Sequence, residues 1–132
     1  MLRTAYPYSE VGRLVNAPPQ AVWDVLTDTW QWVRWGPSIS EVQCAERYIR
    51  RGSKGRVRTV FGLWLPFVIN DFEFGHWSWQ VAGFPATGHR VEPAGRNCSL
   101  LVFQVPVFAA PYLLVCKIAV DRIARILEKR RD

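Results

Sequence analysis

The sequence predicts an α+β fold in which a curved antiparallel sheet of about seven strands wraps a long C-terminal helix. Three observations lead there. Apolar residues recur at helical spacing near the start (Val22, Val25, Leu26) and again from about Pro111 to the end. Between them, from Ile39 to Val107, apolar and polar residues alternate with a period of two, as in strands with one buried face. The breaks between these strands are short and carry Gly, Pro or Asn, which joins antiparallel neighbours. A chain of 132 residues suits one domain, 1–132, and is too short for two.

Tyr8 to Asn16 reads as the first strand. "NAPPQAVWDVLTD" then opens a helix, with Asn16 as N-cap and Pro18 and Pro19 in the first turn. A second short helix covers Trp30 to Trp35 and stops at Gly36 and Pro37. Val42, Cys44, Glu46 and Tyr48 alternate along the next strand, and "RRGSKG" (50–55) is read as its hairpin turn. Val57, Thr59 and Phe61 continue the pattern. Leu65 to Phe74 follows, then Trp77, Trp79 and Val81. After Gly83 and Pro85, Thr87, His89 and Val91 share one face, with Gly88, Arg90 and Glu92 on the other. "PAGRN" turns the chain into a last strand, Ser99 to Val105. From Pro111, residues Tyr112, Val115, Cys116, Ala119, Ile123, Ile126 and Leu127 give a wide apolar helix face. Tyr112, Val115, Ala119 and Ile123 are expected to face the concave side of the sheet.

Seven Trp and seven Phe are more aromatic surface than a small core needs, so part of it is expected to line a cavity between sheet and helix. The net charge is +6. Its excess lies in Arg47–Arg58 and in Arg122, Arg125, Lys129, Arg130 and Arg131. Both clusters read as solvated surface, the second favoured by the helix macrodipole. They leave contact with an anionic membrane surface open. Nucleic acid is not expected as a partner, because the aromatics of the strands alternate away from the arginines, and a stacking platform needs both on one surface.

Cys44, Cys98 and Cys116 are scattered, and His76 and His89 do not sit at ligand spacing with them. No metal site and no cofactor is expected, and the cysteines read as reduced thiols of a cytoplasmic protein. "MLRTAYPYSE" lacks the apolar core of a signal peptide. The apolar run Val105–Cys116 is broken by Pro106 and Pro111 and is too short to span a bilayer. The sequence holds no phosphate-binding glycine loop and no Ser-His-Asp order.

Several strings, in this order, resemble the START-like (SRPBCC) superfamily, the helix-grip fold of polyketide cyclases, lipid-transfer domains and the major birch-pollen allergen. "VNAPPQAVWDVLTD" (15–28) resembles the family's first strand end and helix. "WGP" (35–37) resembles the end of its second helix, "KGRVR" its Gly-led third strand, and "WSWQVAG" and "GHRVEPAGRN" its late strands. The resemblance implies a seven-stranded sheet, a long C-terminal helix and an internal hydrophobic cavity. It implies no universal catalytic residue.

A hydrophobic small-molecule ligand, lipid, acyl or polyketide-like, is therefore expected in that cavity. The candidate contacts are Trp35 at the end of the second helix, and Tyr48, Phe61, Trp77, Trp79, His89 and Val91 on strands. Tyr112 and Cys116 on the last helix complete them. Two other classes stay open. One is a polyketide cyclase/dehydrase-type enzyme, with His89, Tyr48 and Tyr112 as candidates for proton transfer. The other is an interaction module whose cavity is filled by its own side chains. Oligomeric state is not legible in the sequence.

Overall fold

The computed structural model of the protein describes residues 2–5 and 8–131. Eight strands form one antiparallel sheet: β1 (Leu2–Ala5), β2 (Tyr8–Val15), β3 (Ile39–Cys44), β4 (Lys54–Thr59), β5 (Trp64–Glu73), β6 (His76–Val81), β7 (Phe84–Pro93) and β8 (Ser99–Pro106). Their spatial order is β1-β2-β8-β7-β6-β5-β4-β3. Strands β2 to β8 are the seven expected ones, and β1 adds a short edge hairpin on β2. Helices α1 (Pro19–Thr27) and α2 (Trp32–Trp35) follow β2, and α3 (Leu113–Arg131) closes the chain. This is the helix-grip α+β fold.

Chain direction explains the layout. β2 pairs with β8, Val11 opposite Phe103 and Val15 opposite Ser99, so the strand before α1 and the last strand meet and the helices are left to cover one face. On that face lie Val11, Val15, Ile69, Trp77, Leu101 and Phe103, packed against Leu26, Trp32, Ala119, Val120 and Ile123. All of these side chains are buried. The helical spacing of Ala119 and Ile123 thus meets the period-two spacing of β8, as expected. At Gly55 the close approach of strands requires glycine. A Cβ there would overlap the Gln43 carbonyl oxygen and press on the Phe67 ring.

Five local expectations are corrected. The helix α1 is not capped by Asn16: Pro18 occupies the N-cap position without a side-chain bond, and Pro19 is the first helical residue. The Asn16 backbone N–H instead donates to Glu128 Oε2 at 3.1 Å, tying the end of β2 to the far end of α3. The expected helix from Trp30 is a 3₁₀ turn, Thr29–Gln31, followed by α2, because Asp28 accepts from the Trp30 N–H at 3.0 Å and caps that turn. Strand β3 stops at Cys44, so Glu46 and Tyr48 are not on it. The backbone of 47–49 pairs with the end of α1 instead (Thr29 N to Arg47 O 2.7 Å, Ile49 N to Thr27 O 3.0 Å). Arg47 holds it there by gripping both Asp28 oxygens, at 3.1 and 3.0 Å. The turn within "RRGSKG" is real (Ser53 N to Arg50 O 3.0 Å), but it lies inside the long connection 45–53. Finally, the last helix is preceded by a 3₁₀ stretch, Val107–Tyr112, which contains Pro111.

No helix among the described residues is long and apolar enough to cross a membrane. The side chains of Arg130 and Arg131, part of the expected basic C-terminal cluster, lie outside the described residues.

Candidate functional site

The two indoles of α2 determine the shape of the interior. Trp32 and Trp35, three residues apart, project from one helix face. Each turns its ring N–H back on α1: Trp32 Nε1 donates to Leu26 O at 3.0 Å and Trp35 Nε1 to Val25 O at 3.2 Å. Carbonyls at a helix C-terminus lack partners within the helix, so this sequence folds locally by capping α1 with tryptophan. The Trp32 ring then stands over the concave face of the sheet. It stacks on Trp77 (centroids 5.4 Å, 12° between planes) and meets Trp79 and Phe67 edge-on or tilted at 5.3 and 5.5 Å.

Among the described residues a deep hollow lies between sheet and α3 and an outer one lies beside it, over β4, β5 and β6. The deep one is lined by Trp32, Trp35, Trp77, Thr87, His89 and Phe103 from one side and Val115, Cys116 and Ala119 from the other. Its free volume is about 30 Å³, room for about one or two water molecules. The outer one, about 270 Å³, is walled by Val57, Leu65, Val81 and the Phe61 rim. Ser38, Ile39, Trp79 and Tyr112 line both. The Ser38 and Tyr112 hydroxyls are hydrogen-bonded at 2.6 Å, pinning the start of α3 to the loop after α2. Burial pushes the Tyr112 hydroxyl pKa up, so it stays protonated at neutral pH.

His89, 1% exposed, sits at the back of the deep hollow. Its Nδ1 is 3.2 Å from Trp77 O and its Nε2 2.9 Å from Thr87 Oγ1. A carbonyl can only accept, so Nδ1 carries the proton and Nε2 is the acceptor. The Thr87 hydroxyl therefore donates to Nε2, while its oxygen accepts from Trp79 Nε1 at 3.0 Å. The chain of bonds runs one way, from Trp79 through Thr87 and His89 to the Trp77 backbone. Desolvation holds the His89 pKa down to about 3. The ring is also sandwiched by aromatics: Trp77 stacks at 3.9 Å and Phe103 meets it edge-on at 4.6 Å. A neutral imidazole with both nitrogens engaged is a wall, not a free acid or base. The Trp77 indole N–H is buried with no hydrogen-bond partner, a condition that costs about 1–3 kcal/mol.

Five expected contacts line the deep hollow: Trp35, Trp77, Trp79, His89 and Cys116, joined by Tyr112 at the boundary. Burial raises the Cys116 thiol pKa to about 12, so it is an unreactive apolar wall. Phe61 is corrected in place: β4 ends at Thr59, and Phe61 stands on the following turn, 94% exposed at the outer rim. Val91 is buried in the core and lines neither hollow. Tyr48 is also outside both: it leaves the sheet with Arg47, is 51% exposed, and lies 5.2 Å from the Arg47 guanidinium. Sequence reasoning missed Trp32, Ser38, Ile39 and Phe103. The one available signal was the Trp-x-x-Trp spacing of 32 and 35, which puts both rings on one side.

Comparisons with known proteins agree with this architecture. The family described as polyketide cyclase / dehydrase and lipid transport matches residues 9–129. No curated protein matches the chain in sequence. Among solved structures, the ZhuI aromatase/cyclase from Streptomyces sp. R1128 superposes with a TM-score of 0.73 at 14% identity, covering 100% of this chain and 97% of that one. The XoxI protein from Bacillus cereus gives 0.73 at 12% identity, covering 95% and 98%. Protein CV1439 from Chromobacterium violaceum gives 0.67 at 18% identity, covering 94% and 99%. At such identities the structures show the shared fold, while the family match spans nearly the whole sequence: the chain belongs to the polyketide cyclase/dehydrase and lipid transport family.

Proposed function

We propose that the protein binds a small hydrophobic molecule, ring-containing or acyl, in the outer hollow. One observation carries this reading. A space of about 270 Å³ is walled by Ile39, Val57, Leu65, Trp79 and Val81, with only the hydroxyl-bearing residues Ser38, Thr59 and Tyr112 among them. Apolar walls with a few placed polar groups are what a small apolar ligand needs. The deep hollow adjoins it across Ser38, Ile39, Trp79 and Tyr112, and the Trp32 ring lines that inner space, stacked on Trp77. A short ligand stays outside; a longer one displaces Trp32.

The cyclase/dehydrase alternative draws on the family description and on the Streptomyces neighbour. It needs a positioned acid or base facing the substrate. His89 spends both nitrogens on Thr87 and Trp77, and Tyr112 shares its hydroxyl with Ser38. These commitments favour binding over catalysis.

Native mass spectrometry of the purified chain tests the reading. The expected result is a co-purifying apolar species, or one-to-one capture of an added fatty acid or polycyclic aromatic. Leu65→Trp, which fills the outer hollow, should abolish that capture. Capture undiminished by Leu65→Trp in a folded variant would defeat the assignment to this hollow.

A further inference from the structure

A separate notch of about 510 Å³ opens on the outside of the molecule between α2 and α3. Arg34, Arg122, Arg125 and Lys129 line it, with Ile126 as its apolar part. No carboxylate is in the lining, and among the described residues none of these four cations has an ion-pair partner. Arg34 makes one side-chain bond, to Gln31 Oε1 at 2.8 Å.

What sets this face apart is that four cations without counter-charge converge on one notch. Both carboxylates of α3 are committed elsewhere: Asp121 to Arg13 at 2.8 Å and Lys117 at 2.6 Å, and Glu128 to Arg13 at 3.7 Å and the Asn16 N–H. Among the described strand arginines, Arg13, Arg58 and Arg90 are ion-paired. Arg58 pairs with Glu41, and Arg56 bonds Gln43 and lies over the Trp64 ring. Arg122, Arg125 and Lys129 are three and four residues apart and so share one helix face, where like charges repel. The macrodipole favours cations only in the last turn. That accounts for Lys129 in a helix ending at Arg131, and not for Arg122. Arg34 arrives from another element and adds a fourth charge to the same notch.

We propose that this notch binds the phosphates of a diphosphate-bearing molecule. Three guanidiniums offer planar, two-pronged donors that match phosphate oxygens, and the lysine adds a point charge. A lone carboxylate would leave most of the positive charge unmatched, whereas a diphosphate carries several negative charges. Ile126 gives the organic part of an ester an apolar contact. The lining has no aromatic ring, so bases of a nucleic acid have no stacking surface there.

The test is isothermal titration of the full chain with inorganic pyrophosphate at fixed ionic strength. One site per chain is expected. The double variant Arg34→Gln/Arg125→Gln should bind at least about tenfold more weakly, as expected when charge-assisted bonds are lost. Arg56→Gln, on the sheet, should bind as the parent does. All three changed residues are on the surface, and matching thermal melts will show that the variants fold. Vesicles of phosphatidylcholine with and without phosphatidic acid separate the two sources of phosphate. Binding to the acidic vesicles that pyrophosphate displaces assigns the site to a lipid headgroup; pyrophosphate binding without vesicle binding assigns it to a soluble phosphate. The proposal is overturned if pyrophosphate does not bind at about 5 mM. It is also overturned if Arg56→Gln weakens binding as much as the double variant, or if single-stranded DNA binds and pyrophosphate does not compete.

Discussion

His89 shows how burial decides the role of a titratable side chain. Its place on an inward strand face was legible from the alternation of Thr87, His89 and Val91 against Arg90 and Glu92. Its partners were not, because Trp77 and Trp79 reach it across a strand pair whose register contains a bulge near Ser78. The buried ring has a consequence for stability. Its pKa is near 3 in the folded protein and 6.5 when free. The unfolded state therefore takes up a proton first as pH falls. His89 supports the fold fully above about pH 6.5, and that support drains away as pH drops toward 3. Between pH 7 and pH 5 this one group should cost about 2 kcal/mol. Urea midpoints measured at the two pH values will show it, and His89→Phe should remove that part of the pH dependence while lowering stability at pH 7. A pH dependence identical in parent and variant would mean that the ring titrates in the folded state.

At the scale of elements, the helices were legible in their apolar stripes, and their ends were less so. Asn16 looks like an N-cap because its residue type suits one, yet Pro19 fixes where α1 can begin. The end of β3 was hidden because the competing interaction, Arg47 on Asp28, joins residues far apart in sequence. Trp23 anchors α1 against the sheet. It is buried between Phe72 and Phe74, both at 5.4 Å. Trp23→Ala should cost about 3–5 kcal/mol; an unchanged melting temperature would count against a load on this contact. The β6–β7 turn offers a change in the opposite direction. Ala82 and Gly83 both have positive φ, 53° and 82°, which suits the tight turn between twisted strands and strains only the alanine. Ala82→Gly should therefore raise stability by up to about 1 kcal/mol in chemical denaturation. A loss would show that the Ala82 methyl contributes more by packing than it costs in backbone strain.

For the molecule as a whole, the order strand, helices, strands, helix was enough to place the sheet and α3 on either side of one interior. How full that interior is could not be read the same way. Period-two and helical patterns mark which faces point inward; they do not say that a ring from α2 will reach across and take the space. Trp30, Trp32 and Trp35 are similar as letters, yet Trp30 ends up outside beneath Arg47 at 3.8 Å, while Trp32 is fully buried. The basic surface divides in the same manner: Arg56, Arg58 and Arg90 meet partners on the sheet and Arg13 meets the carboxylates of α3, whereas α2 and α3 bring their cations together only in three dimensions.

The nearly parallel Trp32 and Trp77 rings also make the interior an optical instrument. Trp32 and Trp77 at 5.4 Å, with Trp79 turned 70° and 79° from them at 5.3 and 5.6 Å, are close enough for their electronic transitions to couple, and the skew between rings splits the ultraviolet circular dichroism into bands of opposite sign. Trp32→Phe should weaken that signal and leave the part that comes from Trp77 and Trp79. A molecule confined to the outer hollow leaves the pair in register and the signal intact. One that penetrates toward His89 has to move Trp32 away from Trp77 and Trp79, and the signal falls to the part that comes from Trp77 and Trp79. The depth of an occupant can thus be read from the protein's own chromophores, without labelling either partner.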